Sequence, residues 1–210
     1  MTRKHIVAGN WKMNKTFDEG TALAKEVKAL DRSKDVITIL GTPFIHLQAV
    51  AEILEGDDTI KLASQNCHPE KSGAYTGEVS IDMLKSIGVD YVIIGHSERR
   101  EYFKEDEDFL ARKVNACLAG GLTPIFCCGE AKDIRESGTH EAYVAKQLKD
   151  SLFHLSPEEF SKLVIAYDPI WAIGTGLTAS SAQAQDMHKA IRSLIAEKYG
   201  AEIADATTIL

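Results

Sequence analysis

LVIAYDPIWAIGTG, residues 163–176, decides the reading of this chain. LVIAY is a short, unbroken apolar run ending at a proline dipeptide, the signature of a strand covered on both faces. Asp168 follows it directly, and the ring of Pro169 biases Asp168 towards extended backbone. A carboxylate at the end of a buried strand suits a general base, although a lone aspartate there also fits a solvated loop. The next residues favour chemistry. An apolar segment between Pro169 and the Gly174/Gly176 pair suits a mobile lid that excludes water and presents glycine N–H groups to an anion.

The same strand pattern recurs through the chain in HIVAG (5–9), VITILG (36–41), IKLASQ (60–65), YVIIG (91–95), TPIFCC (123–128) and TTIL (207–210). Helical patterns separate these runs. Thr16 and Glu19 form a capping-box sequence leading to Leu23, Val27 and Leu30 on one face. Leu110, Val114, Cys117 and Leu118 repeat the helical spacing, as do Ala145, Leu148 and Leu152, then Ala184, Met187, Ile191, Leu194 and Ile195. Strand, loop, helix, strand predicts right-handed βαβ units, a parallel sheet and an α/β fold. No Pro/Gly/Ser-rich linker divides residues 1–210, which read as one domain. Seven strands are too many for a small flavodoxin-like sheet and one short of an eight-stranded barrel.

Composition narrows the function classes. The chain has 210 residues and a formal charge of −7, which disfavours a broad nucleic-acid surface. No run approaches the roughly 18 apolar residues of a membrane span, and MTRKHIVAGN becomes a strand before any signal-peptide region, so a cytoplasmic protein is expected. Cys67, Cys117, Cys127 and Cys128 lack metal-ligand or disulfide-framework spacing; no metal site is expected, and buried reduced thiols are.

Lysine, histidine and carboxylate recur at one kind of position, just past a buried-looking strand, in GNWKMN (9–14), YVIIGHSERR (91–100) and the opening stretch. Such ends point into one mouth in α/β barrels and open sheets, which marks an enzyme. Backbone N–H groups at the helix start after His96 disfavour imidazolium, leaving a neutral ring that can donate to a carbonyl. Glu98 lies two residues on, placed to pair with a lysine or to stay exposed. Lys12 sits in a tight turn beside Asn10, its stem covered by Trp11 and Met13, and its ammonium suits a phosphate or developing oxyanion. HPEKSGAYTGEVS (68–80) is either an irregular surface loop or an arm that grips a partner. Cys127 and Cys128 have no neighbouring base and read as core.

Together GNWKMN, SGAYTGEVS, YVIIGHSERR, TPIFCCGE and AYDPIWAIGTG resemble the triosephosphate isomerases, from about residue 5 to Leu210. The resemblance implies a (β/α)8 TIM barrel, a cofactor-free cytoplasmic homodimer and interconversion of dihydroxyacetone phosphate with glyceraldehyde 3-phosphate through an enediolate. It assigns substrate binding to Asn10, Lys12 and Gly174, with the Lys12 ammonium against the enediolate charge. His96 becomes the electrophile and proton shuttle, Ser97 and Glu98 support it, and Thr76 reaches towards the partner subunit. Asp168 stands where the family has the glutamate that moves the proton. Against the family pattern the chain stops in the seventh strand, which implies an incomplete barrel with an exposed parallel edge, low stability and impaired activity. An inactive homologue or fragment acting as a scaffold or binding protein is the alternative that Asp168 and the missing C-terminal part support; a third reading, another sugar-phosphate barrel enzyme, would require a different set of residues at the strand ends.

Overall fold

The computed structural model describes residues 3–173 and 175–210. In chain order these form β1 (His5–Asn10), α1 (Phe17–Ala29), β2 (Val36–Thr42), α2 (Leu47–Leu54), β3 (Ile60–Ser64), α3 (Ile81–Ser86), β4 (Tyr91–Ile94) and α4 (Ser97–Tyr102). There follow α5 (Glu107–Ala119), β5 (Thr123–Cys128), α6 (Lys132–Glu136), α7 (His140–Leu152), α8 (Pro157–Phe160), β6 (Val164–Tyr167), α9 (Ser181–Tyr199), α10 (Ala201–Ala206) and β7 (Thr208–Ile209). The chain divides into two compact units, Lys4–Ile94 with Lys113–Ile125, and Gly95–Arg112 with Phe126–Leu210. β5 begins in the former and ends in the latter.

In the first unit β1, β2, β3 and β4 pair in sequence order and in parallel, with Asn10 opposite Gly41 and Ser64 opposite Val92. The N–H of Thr123 continues the order into β5 by donating to the Asp90 carbonyl at 3.0 Å. Parallel neighbours require crossovers, and the helices supply them. In the second unit Asp168 N–H donates to Cys128 O at the end of β5, and β6 pairs in parallel with β7. Successive strands paired in parallel and joined by helices give the α/β barrel order expected from the sequence.

Local chemistry fixes the helix starts. Thr16 N–H and Oγ1 both donate to Glu19 Oε2, which holds the Glu19 carboxyl below its usual range through these bonds. Ser156 with Glu159 and Ser180 with Gln183 repeat the reciprocal cap at α8 and α9. The expected stripe on α1 is displaced. Gly20 and Ala24 are the buried residues, Leu23 and Val27 are half-buried, and Leu30 is 61% exposed. A Cβ on Gly20 would lie 2.4 Å from the His46 ring, so the small residues let α1 approach closely, and Leu30 falls past the helix end. In the other stripes Leu110, Val114 and Cys117 are buried, as are Leu148 and Leu152, then Met187, Ile191 and Ile195, while Leu118, Ala145, Ala184 and Leu194 are half-buried.

β1 departs from the buried strand read in the sequence. Its residues are largely exposed, Val7 at 63%, because β1 ends the strand order and has only β2 beside it among the described residues. β4, in contrast, is buried throughout. The four cysteines are buried and unbridged. Among the described residues no helix is long and apolar enough to cross a membrane.

Asp57 ties the first unit together after α2. Its carboxylate accepts from Thr59 Oγ1 at 2.7 Å, Thr59 N–H at 2.9 Å and Arg32 Nη2 at 2.8 Å. The Thr59 hydroxyl first, and then the Arg32 guanidinium, hold this carboxyl well below the usual carboxylate range. A depressed folded value adds stability above the unfolded value, near 4, and loses it as pH falls through the folded one. Asp57→Asn should therefore cost about 1.5–3 kcal/mol at pH 7, a Tm loss of several degrees, with the gap to the parent narrowing below about pH 4. Calorimetry at pH 7 and pH 3 checks this; an equal gap at both would remove the ionised carboxylate from the account.

Candidate active site

β4 is apolar to its last residue and delivers the chain to Gly95, whose φ of 77° is left-handed. Glycine adopts that conformation without a Cβ penalty, and a Cβ here would also lie 3.2 Å from the Cys127 carbonyl. Arg100 locks the turn. Its Nε donates to Gly95 O at 2.7 Å, Nη2 to Cys127 O at 3.3 Å and Nη1 to Glu107 Oε2 at 2.7 Å. Ser151 Oγ donates to the same Glu107 oxygen at 2.8 Å, so a guanidinium and a hydroxyl converge on one carboxylate behind the turn.

His96, 7% exposed, is the N-cap of α4. Its Nδ1 accepts the Glu98 N–H at 3.2 Å, while its carbonyl accepts from Arg99 and Arg100. A nitrogen that accepts an amide hydrogen carries none of its own, so the neutral ring bears its proton on Nε2. Two nearby contacts pull the other way: Glu98 Oε2 lies 3.5 Å from Nδ1 and Asp168 Oδ2 lies 3.7 Å from Nε2. The Glu98 side chain is 42% exposed and screened by water. The Glu98 amide, fixed in the first turn of α4, faces Nδ1 directly. Nε2–H is then directed at the Asp168 carboxylate from just beyond hydrogen-bond range.

Asp168 leaves β6 with its N–H bonded to Cys128 O at 2.8 Å. Gly129 passes so close that a Cβ would stand 1.8 Å from the Asp168 carbonyl oxygen, and Gln147 Oε1 holds the Gly129 N–H at 2.9 Å. Ser97, Arg100 and Gln147 line a cavity of about 10 Å3 beside Asp168, room for about one water molecule. The adjoining thiols are unsuited to nucleophilic work. Burial, followed by the Asp168 charge, pushes the Cys127 thiol up to about 12, and burial raises Cys128 as well.

The start of the expected lid is latched. Tyr167 Oη and Trp171 Nε1 each donate to Glu130 Oε1 at 2.9 Å, and Arg135 Nη1 lies 3.4 Å from the same oxygen. Glu130 is fully buried. Burial, and then the Glu130 charge, raise the Tyr167 hydroxyl above its usual value and keep it a donor. Thr175 Oγ1 donates to Trp171 O at 2.7 Å. Gly174, expected to donate its N–H to a phosphate, lies outside the described residues.

In the other unit, Lys12 follows β1 with a φ of 52°, a left-handed backbone on a non-glycine residue. Its N–H donates to Asn10 Oδ1 at 3.0 Å, the tight turn expected of Asn10. Met13 does not cover the lysine stem as expected. It is 96% exposed, and Trp11 packs its ring edge-on to His46 at 5.8 Å. The reversed backbone at Lys12 turns its neighbours away. Thr76 lies at an exposed turn of the 68–80 loop, which is closed at its base by His68 N–H donating to Val79 O at 2.8 Å and by His68 packing on Tyr75. The structure thus brings His96, Ser97, Glu98 and Asp168 together in one unit and Asn10, Lys12 and Thr76 in the other.

The model of the triosephosphate isomerase family matches residues 5–210. The chain belongs to the triosephosphate isomerase family. It is 56% identical to the triosephosphate isomerase of Cytophaga hutchinsonii, 53% to that of Porphyromonas gingivalis and 48% to that of Clostridium beijerinckii, each alignment covering 99% of this chain and 83% of the relative. Membership makes the chain an isomerase of triose phosphates on the α/β barrel fold. Within that framework the sequence left Arg100, Gly129, Glu130 and Gln147 unassigned. CCGE offers a glycine directly after two apolar cysteines, but nothing local says that another strand end presses on it.

Gly129→Ala should displace Asp168, since backbone must move to admit the Cβ. Displacement of about an ångström costs roughly a hundredfold in rate. Steady-state turnover checks this in a variant shown to be folded by circular dichroism; unchanged turnover would mean that Gly129 does not set the position of Asp168.

Proposed function

We propose that Asp168 is the base of triose-phosphate isomerisation in this chain, with neutral His96 as the electrophile. The observation that carries the reading is the facing pair, His96 Nε2 and Asp168 Oδ2 3.7 Å apart, with Nδ1 already occupied by the Glu98 amide. A carboxylate with a neutral histidine is the arrangement known for this family.

The Asp168 carboxylate takes a proton from the hydroxyl-bearing carbon of dihydroxyacetone phosphate. The electron pair moves into the carbonyl oxygen as the enediolate forms, and His96 Nε2–H donates to that oxygen. The imidazole shuttles a proton between the two oxygens, and Asp168 returns its proton to the adjacent carbon, which gives glyceraldehyde 3-phosphate. The Lys12 ammonium stabilises the enediolate charge, Asn10 orients the substrate, and the Gly174 N–H holds the phosphate. The protein works in the cytoplasm as a homodimer, with Thr76 at the exposed turn that meets the partner.

Aspartate is one methylene shorter than the family's glutamate, so the chain turns over slowly. Asp168→Glu should raise kcat by roughly a hundredfold, the cost of about an ångström of misplacement. Coupled-enzyme kinetics read the change, and an unchanged rate would mean that another group moves the proton. Lys12→Ala should abolish turnover and leave the melting temperature within a few degrees of the parent; a variant turning over at the parental rate would remove Lys12 from the mechanism.

A further inference from the structure

We propose that Gln65 is the positioning residue for Lys12: its side-chain amide, bound to the carbonyls of Lys12 and Gly41, holds the lysine in its left-handed backbone conformation. The inference rests on the assignment of Lys12 to the enediolate and deepens it.

Gln65 follows the last residue of β3, and both hydrogens of its Nε2 are used. One is donated to Lys12 O at 3.0 Å and the other to Gly41 O at 2.9 Å. Gly41 O also accepts the Trp11 N–H at 2.9 Å, so one carbonyl at the end of β2 anchors the loop both directly and through Gln65. Two further amides fix the loop locally: Asn10 Oδ1 accepts the Lys12 N–H, and Asn14 Nδ2 donates to Trp11 O. These local bonds travel with the loop wherever it moves. Gln65 ties the Lys12 peptide to β2 and β3.

The tie has something to oppose. A residue with a Cβ is strained in the left-handed region, and Lys12 sits there at φ 52°. Released from its carbonyl tether, the Lys12 peptide relaxes towards negative φ and swings the side chain away from the direction the strand end gives it. An outlier of this kind persists only where its surroundings over-determine it. Gln65 is part of that determination, and it requires an amide donor of this length. Asparagine falls short by one methylene, glutamate presents oxygens to two carbonyls, and methionine donates nothing.

The test is a double-mutant cycle read by the affinity for a two-carbon phospho-carboxylate that mimics the enediolate, measured by calorimetry on the parent, Gln65→Met, Lys12→Ala and the double variant. Gln65→Met should weaken binding roughly tenfold to a hundredfold and lower kcat in step. In the Lys12→Ala background the same substitution should change the affinity by less than twofold, because the group it positions is gone. Equal losses in both backgrounds would overturn the inference and leave Gln65 a structural residue. An unchanged affinity in Gln65→Met would overturn it too. A Lys12→Ala protein that binds the mimic as tightly as the parent would instead overturn the role of Lys12, and this inference with it. Should Gln65→Met fail to fold by circular dichroism, Gln65→Glu, with the same shape and no donor, takes its place under the same criteria.

Discussion

The hydrogen that the Glu98 amide donates to His96 Nδ1, across 3.2 Å, decides what this histidine can do. An imidazolium would have to place a second hydrogen against that amide. With Nδ1 held as an acceptor, the only hydrogen on the ring sits on Nε2, on the side of Asp168. A neutral ring of this kind is a donor able to polarise a carbonyl, the role proposed for it opposite Asp168. The roles proposed for Asp168 as base and His96 as electrophile rest on this one backbone contact.

That contact is only as reliable as the turn beneath it. Gly95 supplies the left-handed step that brings β4 to the start of α4, and Arg100 pins its carbonyl while bonding to the end of β5. β5 in turn accepts the Asp168 N–H, and Gly129 leaves no space for a side chain beside the Asp168 carbonyl. Histidine and carboxylate are thus referred to a common strand, and their separation is set by backbone packing. The start of the lid is a contrast. Tyr167, Trp171 and Arg135 all turn to Oε1 of Glu130, while the buried Oε2 has no hydrogen-bond partner. A carboxylate bonded through one oxygen, with the other desolvated, is less than fully stabilised.

Much of the fold was legible because parallel strands buried on both faces must be apolar runs, and β5 has the very bounds of TPIFCC. The cap at Thr16 was equally readable, since its chemistry is confined to four residues. Positions whose role depends on what approaches from elsewhere in the chain were not. Leu30 fits a helical stripe, yet the close approach of Gly20 to His46 chose a different face. β1 reads like its neighbours, and its exposure is a matter of place in the strand order. Lys113 looks like a surface charge on α5 but is 1% exposed, with Nζ on Asn66 Oδ1 at 2.7 Å. In the site, residue types at strand ends marked Lys12, His96 and Asp168. Gln65, Arg100 and Gly129 act on backbone atoms of distant residues and leave no local pattern.

The most direct test of the account is the protonation state of His96, read by 15N chemical shifts of the imidazole in the free enzyme and with a two-carbon phospho-carboxylate bound. The account predicts a neutral ring with hydrogen on Nε2 and a non-protonated Nδ1 at neutral pH, both in the free enzyme and in the complex. A ring that is doubly protonated at neutral pH, or that carries its single hydrogen on Nδ1, would contradict the roles proposed for both His96 and Asp168.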